Sequence, residues 1–463
     1  MNIAIDVQPL YSTHMNRGIG NYVKCQLKNI FQLDKVNKYF LINHYGPAMT
    51  KEVLMYGDNV IELNFYDKSK NYLTEYGCAE ISDYFRIATA EIIEKYCIDL
   101  FHITAAVDQF EVYDPKWFKD TKIIVNLYDL IPLIFSKHYL CAGEYPIKYS
   151  KCLDIYLYAD LILTDSQSAK NDALQYIKIA EKRVSVIYSG VDERYIKQVF
   201  PQKIVQSVKE KYGIYDKYII CVGADDFRKN LNGLVQAYCL LPKTIIEDFQ
   251  LVIVCAIREN VKNEFLDFAR ACDCDGKLVI TGFVSDEDML CLLNNAYLAA
   301  FPSMYEGFGL PVVEAWTCGI PVLTSNNSSL GEIATDVAIT VNPFSVDSIK
   351  AGLEYALTTE DLNKYIEKGF YAVEKYSWNV VAGRTIEAYN RVYNEPKMIM
   401  NDKMIKAGEK LIRRETLKYV PRTNKKIITK LNIYYFHTFF STWRYEGFLM
   451  ACKKAKHKLC SKS

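Results

Sequence analysis

The chain has 463 residues, of which 50% are hydrophobic and 24% charged, a composition of two or three globular domains that excludes the disordered and fibrous classes. Its first residues, MNIAIDVQPL, do not read as a signal sequence, and no run of about 18 apolar residues predicts a membrane span. The fourteen cysteines are scattered, so we expect free thiols in a reducing cytoplasm. Cys272 and Cys274 have no second pair at ligand spacing, and we therefore predict no metal site.

The net charge of +1 is divided unevenly along the chain. Residues 397–463 contain 17 Lys and Arg against 4 Asp and Glu, a net charge of +13, whereas residues 1–396 carry −12. The tail also contains an aromatic run at 431–450. Cations interleaved with aromatic side chains suit an anionic membrane surface, and the alternative is a small helical appendage packed on the rest of the protein. Because the remainder is acidic, we expect no nucleic-acid partner.

Strands are predicted in the first half at the apolar runs NIAIDV, KYFLIN, IDLFHI, KIIVNLYD, DLILTD and RVSVIY. Helical stretches separate most of them, and this alternation indicates a doubly wound parallel sheet. Ligands of such sheets bind at the carboxyl ends of the strands. A loop with Gly18 and Gly20 follows the first strand, before a helix from about Asn21; it is either a phosphate-binding turn or an ordinary connection.

Three polar residues stand at further strand ends, namely His102, Asp129 and Ser166. Each has a structural alternative to a chemical role. His102 suits a buried core position, Asp129 suits a cap of the turn DLIP, and Ser166 suits a cap of the helix SAKNDA. For Ser166 the cap is the favoured interpretation.

A second sheet begins at KYIICVG, with further strands at FQLVIVC, KLVITG, YLAAFPS, IPVLTS and AITVNP. Gly223, Arg228 and Lys229 follow its first strand and precede a helix. Two cations at such a position can hold a diphosphate. The alternative is a solvated surface pair.

The stretch FPSMYEGFGLPVVEAWTCGIP, residues 301–321, predicts a loop, a short helix and a buried strand. Pro311 suits the first turn of the helix and Gly319 suits its end. Glu306 precedes the helix, and Glu314 lies about two turns further on. Backbone N–H groups at a helix start attract anions, which makes this turn a candidate phosphate cradle; here they belong to Phe308, Gly309 and Leu310.

Seven motifs, in their order and spacing, resemble the retaining nucleotide-sugar glycosyltransferases of glycosyltransferase family 4, and in particular bacterial mannosyltransferases. The motifs are RGIGNY (17–22), DLIP (129–132), DSQSAKND (165–172), VIYSGVD (186–192), CVGADDFRKN (221–230), TGFVSDED (281–288) and EGFGLPVVE (306–314). They cover roughly the first 390 residues, and the last, with its E-x7-E spacing, is the most specific.

The resemblance implies an α/β protein of GT-B fold, with two Rossmann-like, doubly wound parallel-sheet domains that face each other across a cleft. We predict an acceptor-side domain at 1–198 and a nucleotide-sugar-binding domain at 199–375. A closing helix at 376–395, with an amphipathic stripe, packs back on the first domain. The rest, 396–463, is predicted as a basic, aromatic and helical C-terminal extension.

The resemblance also implies a set of donor-binding residues: Gly18, Gly20, Gly223, Arg228, Lys229, Phe283, Val284, Phe308, Gly309, Leu310 and Glu314. The Arg-Lys pair would neutralise the diphosphate, which gains negative charge as it leaves. The Phe-Val pair would flank the nucleobase, and Glu314 would bind the ribose hydroxyls. Glu306, with the neighbouring amides, would orient the transferred sugar.

The implied catalytic residues are Glu306, Asp129 and Tyr128. Family members with the DLIP motif usually carry His directly before the Asp, where this chain has Tyr128. A tyrosine can still donate one hydrogen bond. We therefore expect an active enzyme with altered contacts to the sugar.

The function implied is retaining transfer of a hexose, with mannose favoured, to a glycan or lipid-linked acceptor in surface polysaccharide biosynthesis. GDP is the favoured nucleotide of the donor and UDP the runner-up; no cofactor and no metal ion are expected, because cations and helix termini replace the metal in this family. We expect a cytoplasmic protein, peripheral at the inner face of the membrane. The alternatives are a sugar-nucleotide epimerase of the same fold and a weakly catalytic scaffold that binds membrane or partners through its tail.

Overall fold

The structure is a computed structural model that describes residues 1–12, 15, 18–75, 78, 80–107, 112–118, 120–398 and 401–420. The chain divides into two compact units. The N-terminal unit comprises the described residues of 1–164, 170–187 and 382–420, and the C-terminal unit comprises residues 165–169 and 188–381. The chain thus passes from one unit to the other after Ile187, whereas the sequence-based boundary stood after residue 198.

Seven strands form the sheet of the N-terminal unit: β1 (Asn2–Asp6), β2 (Lys38–Asn43), β3 (Val60–Asn64), β4 (Leu100–Ile103), β5 (Lys122–Leu127), β6 (Leu161–Thr164) and β7 (Val184–Val186). Six form the second sheet: β8 (Lys217–Val222), β9 (Phe249–Val254), β10 (Leu278–Ile280), β11 (Leu298–Phe301), β12 (Val322–Ser325) and β13 (Ile339–Val341). The twelve strands predicted from apolar runs are all present, and β3 is the one that the sequence reading missed. At this sheet edge only Val60 and Leu63 are buried, and Glu62 and Asn64 interrupt the apolar residues, so VIELN lacks a continuous apolar run.

Helices connect these strands. The N-terminal unit contains α1 (Gly18–Leu33), α2 (Thr50–Leu54), α3 (Tyr66–Lys70), α4 (Tyr72–Glu75), α5 (Ile81–Lys95), α6 (Ile131–Ile134), α7 (Ser136–Tyr139) and α8 (Tyr145–Tyr158), and α9 (Gln167–Asp172) runs into it from the other unit. Between β7 and the chain end lie α10 (Gln202–Lys211), α11 (Leu231–Cys239), α12 (Lys243–Asp248), α13 (Glu259–Ala271), α14 (Asp286–Asn294), α15 (Leu310–Thr317), α16 (Ser328–Ala334), α17 (Val346–Thr358), α18 (Asn363–Val373), α19 (Trp378–Asn394) and α20 (Asp402–Thr416).

Both sheets are parallel and doubly wound. The strand order is β3-β2-β1-β4-β5-β6-β7 in the N-terminal unit and β10-β9-β8-β11-β12-β13 in the C-terminal unit. The order reverses direction between β1 and β4 and between β8 and β11. In open sheets of this kind the crevice at such a switch point, outside the carboxyl ends of the strands, is the usual ligand site.

Helices cover both faces of the C-terminal sheet, which explains its continuous apolar strands. Along β8 the side chains alternate between the two layers: Ile219 packs with α11, α13 and α17, whereas Ile220 packs with α14 and α15. Trp316 of α15, at 1% exposure, fills the second layer. This layer fixes α15, and thereby the turn before it, against the sheet.

The last described helices pack within the N-terminal unit. In α19, the Tyr389 hydroxyl lies 2.7 Å from Nδ1 of His102, and Thr385 accepts a hydrogen bond from Gln26. In α20, Ile412 is fully buried among the core residues of this unit. A Cβ added at Gly408 would meet Leu157 of α8 at 2.7 Å, so the absence of a side chain permits close packing of α20 on α8.

Residues 402–416 of the predicted extension are therefore part of the N-terminal unit. The aromatic run 431–450 lies outside the described residues. Among the helices that the structure describes, none is both long and apolar enough to cross a membrane. The cysteines in the described ranges are free thiols, and those ranges hold no group of three or more His, Cys, Asp or Glu arranged for a metal ion.

Candidate functional site

Charged side chains meet at the switch point of the C-terminal sheet. The segment after β8 carries Arg228 and Lys229 in a single 3-10 turn, and the segment after β11 carries Glu306. Lys229 Nζ lies 2.7 Å from Glu306 Oε1, and Arg228 Nη1 lies 3.8 Å from Glu306 Oε2. The structure thus brings these three predicted site residues together.

This cluster is mostly shielded from solvent but not closed. The side chains of Arg228 and Glu306 are 14% exposed and that of Lys229 is 21% exposed. Lys229 and Glu306 line a pocket with Gly309, Val312 and other apolar residues. Ion pairs in such a setting are less screened than surface pairs. The cluster is therefore a pre-arranged set of charges at the edge of a pocket.

Local capping sets the turn that holds the two cations. The Asp226 carboxylate accepts from the backbone N–H of Arg228 at 3.0 Å and pairs with Arg228 Nη2 at 3.1 Å. Asn230 adopts the left-handed conformation (φ 55°) that ends the turn. Its amide donates to the carbonyls of Pro302 and Pro343, at 3.0 and 2.7 Å. The turn after β8 is thereby joined to the segment after β11.

The irregular segment 303–307, which includes Glu306, is held in place because side chains donate hydrogen bonds to all five of its backbone carbonyls. The donors, in order, are Ser325, Asn327, Arg228, Ser329 and Ser166, with distances of 2.6, 2.8, 3.1, 2.8 and 2.6 Å. Buried backbone carbonyls outside regular structure need such partners. This segment, which we call the carbonyl clamp, therefore has a fixed backbone although it is neither helix nor strand.

The clamp leads directly into α15. Gly309 is the N-cap residue with φ 116°, and a Cβ there would meet Leu330 Cδ2 at 2.6 Å, so the position requires glycine. Within the described part of the chain, no acceptor takes a hydrogen bond from the N–H of Phe308, Gly309 or Leu310. Such N–H groups, together with the helix dipole, favour an anion.

Glu314 lies in the second turn of α15 and is partly buried. Burial raises its pKa to about 7, although the nearby cations Arg194 and Lys229 act in the opposite direction. Arg194, which the sequence reading did not single out, is held by Asp286 at 2.5 Å and Asp192 at 3.6 Å. A half-protonated carboxyl beside a fixed guanidinium can bind hydroxyl groups as acceptor or donor.

The Phe283 and Val284 pair is split by the fold. Phe283 is 77% exposed, whereas Val284 is buried in the apolar layer beneath α14. That this segment flanks a nucleobase stays a prediction, with Phe283 as the exposed side chain of the pair. Gly223 stands at the end of β8 beside the Lys229 side chain, and its N–H donates to Val254.

The predicted site residues of the N-terminal unit have mainly structural partners. Gly18 and Gly20 lie in the first turn of α1, which begins three residues before the expected start, and Gly18 has φ +45°. The first-turn N–H groups of a helix need no partner within it, so glycine costs little there. The expectation of a glycine loop before the helix is thus corrected.

The DLIP turn and the histidine at the end of β4 follow their structural alternatives. Asp129 accepts from the N–H of Ile131 at 2.8 Å, as a turn cap does. His102 is fully buried between Tyr389 and Asn126, and burial lowers its pKa to about 4. It is a core histidine that stays neutral at pH 7.

Tyr128 is also used internally. Its hydroxyl donates to the carbonyl of Thr104 at 2.7 Å and accepts from Asn126 at 3.3 Å, and its ring packs edge-on against Tyr22 at 5.0 Å. The hydroxyl that we expected to donate a hydrogen bond to the sugar therefore donates to the protein backbone. Ser166, for which a cap was favoured, does accept from the N–H of Ala169 at 2.9 Å.

Comparison with known families places the charged cluster in a recognised domain. Residues 205–372 match the family model described as "Glycosyl transferases group 1". Among curated relatives, the serotype-specific mannosyltransferase WbdA of Escherichia coli is 29% identical over 410 residues, which is 85% of this chain and 48% of WbdA. The O-antigen chain mannosyltransferase B of Escherichia coli is 29% identical over 232 residues, 50% of this chain and 60% of that protein. The chain thus spans about half the length of WbdA.

Solved structures share the fold. A glycosyltransferase from Rickettsia africae has a TM-score of 0.61 at 19% identity, over 85% of this chain and 99% of that one. Alr3699/HepE of Anabaena, solved with UDP and glucose, has a TM-score of 0.60 at 14% identity, over 84% and 100%. Residues 205–372 therefore match the glycosyltransferase group 1 family, and the chain has a GT-B fold with similarity to mannosyltransferases.

Proposed function

We propose that the protein is a retaining hexosyltransferase that moves mannose from GDP-mannose to a glycan or lipid-linked acceptor in surface polysaccharide synthesis. The observation that carries the proposal is the Lys229–Glu306 pair at 2.7 Å beside the unpartnered amides of α15. Relatives named as mannosyltransferases, one of them for an O-antigen chain, support the choice of sugar and process.

The reaction breaks the bond between the sugar C1 and the diphosphate oxygen, and both electrons of that bond leave with the diphosphate. The acceptor hydroxyl oxygen forms the new bond to C1 on the face that the diphosphate leaves, and its proton ends on the departing phosphate. The step therefore needs positive charge at the diphosphate. Arg228 and Lys229, with the Phe308 to Leu310 amides, would supply it.

Glu306 would act by position rather than as a nucleophile. Its carboxylate fixes the Lys229 ammonium at 2.7 Å, and the clamp fixes its backbone, with Ser329 at the Glu306 carbonyl. When donor is bound, the carboxylate can accept hydroxyl groups of the sugar and offset positive charge that develops at C1. Glu314 would accept the ribose hydroxyls when it is ionised.

A binding screen followed by product analysis tests the proposal. Thermal unfolding is measured with GDP-mannose, UDP-glucose and other nucleotide sugars, and a ligand at 100 times its Kd stabilises by about 2.7 kcal/mol. The largest shift is expected with GDP-mannose; a larger shift with UDP-glucose would move the donor assignment to UDP. No shift with any nucleotide sugar would contradict the function.

Radiolabelled donor and a lipid-linked glycan then separate the reactions of this fold. Label in the glycan, with the anomeric configuration of the donor by NMR, is the expected result. Label that stays in an epimerised nucleotide sugar would support an epimerase instead. An inverted linkage would refute retention while leaving transfer intact.

We also propose that the basic extension associates with an anionic membrane. The outward face of α20 carries exposed cations, whereas Ile405, Gly408 and Ile412 on its other face pack within the N-terminal unit. The exposed cations on α20 are Lys403, Lys406, Lys410, Arg413 and Arg414. Because Ile412 is core, a truncation test should remove residues 421–463 only. Flotation with phosphatidylglycerol vesicles is expected to fall on truncation, and unchanged flotation would contradict the role of the tail.

A further inference from the structure

Ser166 makes a second contact that its capping role does not require. Its Oγ accepts from the N–H of Ala169 at 2.9 Å and donates to the carbonyl of Gly307 at 2.6 Å. The residue is fully buried. It comes from the segment 165–169, which belongs to the C-terminal unit although the chain on both sides of it belongs to the N-terminal unit.

The segment around Ser166 is anchored independently of the clamp. The N–H groups of Gln167 and Ser168 donate to the two carboxylate oxygens of Glu332, each at 3.0 Å. Glu332 lies on α16, the helix whose Ser329 binds the Glu306 carbonyl at 2.8 Å. The start of α9, α16 and the turn at 306–307 therefore form one hydrogen-bonded unit.

The Ser166 contact decides the orientation of one peptide group. The peptide between Gly307 and Phe308 is planar and trans, so its carbonyl and its N–H point in opposite directions. Since the Gly307 carbonyl is directed at Ser166, the Phe308 N–H is directed away from it. Turning this peptide over would rotate ψ of Gly307, which glycine permits more widely than other residues, together with φ of Phe308, and the hydrogen bond from Ser166 opposes that rotation.

We propose that Ser166 is a positioning residue that holds the Phe308 N–H in the orientation needed to bind the terminal phosphate of a nucleoside diphosphate. The inference rests on the proposed function and adds a residue outside the group 1 domain, at 205–372, to its donor site. We therefore expect that loss of the Ser166 hydroxyl weakens the binding of a nucleoside diphosphate but not that of a nucleoside monophosphate, which lacks the second phosphate.

The test measures Kd by calorimetry for GDP and GMP, and for UDP and UMP, with the full chain. In Ser166→Ala the Kd of the bound nucleoside diphosphate is expected to rise about 10-fold, the effect of about 1.4 kcal/mol for one N–H bond to a charged oxygen. The Kd of the matching monophosphate is expected to change less than about twofold. Ser166→Thr, which keeps the hydroxyl, is expected to restore diphosphate affinity.

A neighbouring serine provides the control. The Ser168 hydroxyl lies 3.5 Å from that of Tyr305 and contacts no carbonyl of the clamp, so Ser168→Ala should leave both affinities unchanged. If Ser166→Ala does not fold, Ser166→Cys, with a weak donor of similar volume, is measured against the same expectation.

Equal affinities for GDP in Ser166→Ala and wild type would overturn the inference, and so would an equal loss for mono- and diphosphate. A wild-type protein that binds none of the four nucleotides would overturn the proposed function together with this inference. A wild type that binds a diphosphate while Ser166→Ala binds it equally well overturns the inference alone.

Discussion

The two sheets are alike in topology, but their carboxyl edges treat polar groups in opposite ways. At the N-terminal edge, burial raises the pKa of Asp6 to about 7 and lowers that of His102 to about 4, so both neutral forms are favoured. At the C-terminal edge, Lys229 and Arg228 pair with Glu306 at 2.7 and 3.8 Å, beside amides of α15 that have no acceptor among the described residues.

This difference indicates which of the two sheet edges can bind a charged ligand. A polar group that is satisfied by its own protein gains little from a ligand, because binding would break an existing bond. At the N-terminal edge, the Tyr128 hydroxyl on Thr104 and the His102 ring between Tyr389 and Asn126 are occupied in this way. The C-terminal cluster combines paired charges with unpartnered amides on a rigid clamp. A diphosphate can accept hydrogen bonds from these amides without breaking an existing bond, whereas its contact with Lys229 would compete with Glu306.

The largest effect on activity is expected when a cation is removed from the C-terminal cluster. Lys229→Ala should lower kcat for transfer from the nucleotide sugar by about 100-fold or more, as losses of a single charge-stabilising donor do. Lys243→Ala is the matched control, because the Lys243 side chain is 78% exposed and its ion pair with Asp273 contributes little to stability. Turnover of Lys229→Ala within about threefold of wild type would remove the diphosphate role of this edge.

The next largest effect is expected on stability, when Gly309, just after the clamp, is replaced. Gly309→Ala places a Cβ 2.6 Å from Leu330 at φ 116°, so we expect a loss of about 1–3 kcal/mol in the free energy of unfolding. Gly383→Ala in α19 is the control, because its Cβ would meet nothing within 4 Å; it should be neutral or stabilise by about 0.4–1 kcal/mol. Thermal or urea unfolding compares the two variants. Equal stabilities would mean that the turn before α15 is not held as described.

The third prediction concerns the pH dependence of nucleotide binding at Glu314. Its pKa of about 7 lies above the ordinary value of 4.5, so the carboxyl is mainly protonated at pH 6 and mainly ionised at pH 8. A carboxylate accepts both ribose hydroxyls, whereas the acid has fewer acceptor sites. Nucleotide affinity should therefore rise between pH 6 and 8, by up to about tenfold.

Glu314→Gln should abolish that rise and bind at pH 8 with about tenfold lower affinity, as expected for loss of charge-assisted hydrogen bonds. Calorimetry at three pH values measures both effects. A profile that is identical in wild type and Glu314→Gln would assign the titration to another group.

Much of this architecture followed from the sequence, because parallel strands covered on both faces are continuous apolar runs. The strand β3 was missed, since Glu62 and Asn64 interrupt its apolar residues at the sheet edge. Glu306 and Lys229 were predicted as site residues from the strand ends that precede them, but their contact at 2.7 Å was not predicted. The carbonyl clamp was not, because its donors come from distant segments: Ser166 precedes Gly307 by 141 residues. Side-chain to backbone contacts of this kind leave no periodicity, and Ser166 read only as a helix cap.

The smallest effect is expected at Tyr128, and it tests the other half of the comparison. Tyr128→Phe removes the donor to the Thr104 carbonyl and leaves the ring contact with Tyr22, so the free energy of unfolding should fall by about 1 kcal/mol. Because the hydroxyl is already directed at the backbone, kcat should stay within about threefold of wild type. Stability and turnover measured on the same preparation separate the two roles. A large loss of turnover with unchanged stability would mean that the hydroxyl leaves Thr104 to contact the sugar, and that the N-terminal edge takes part in the chemistry.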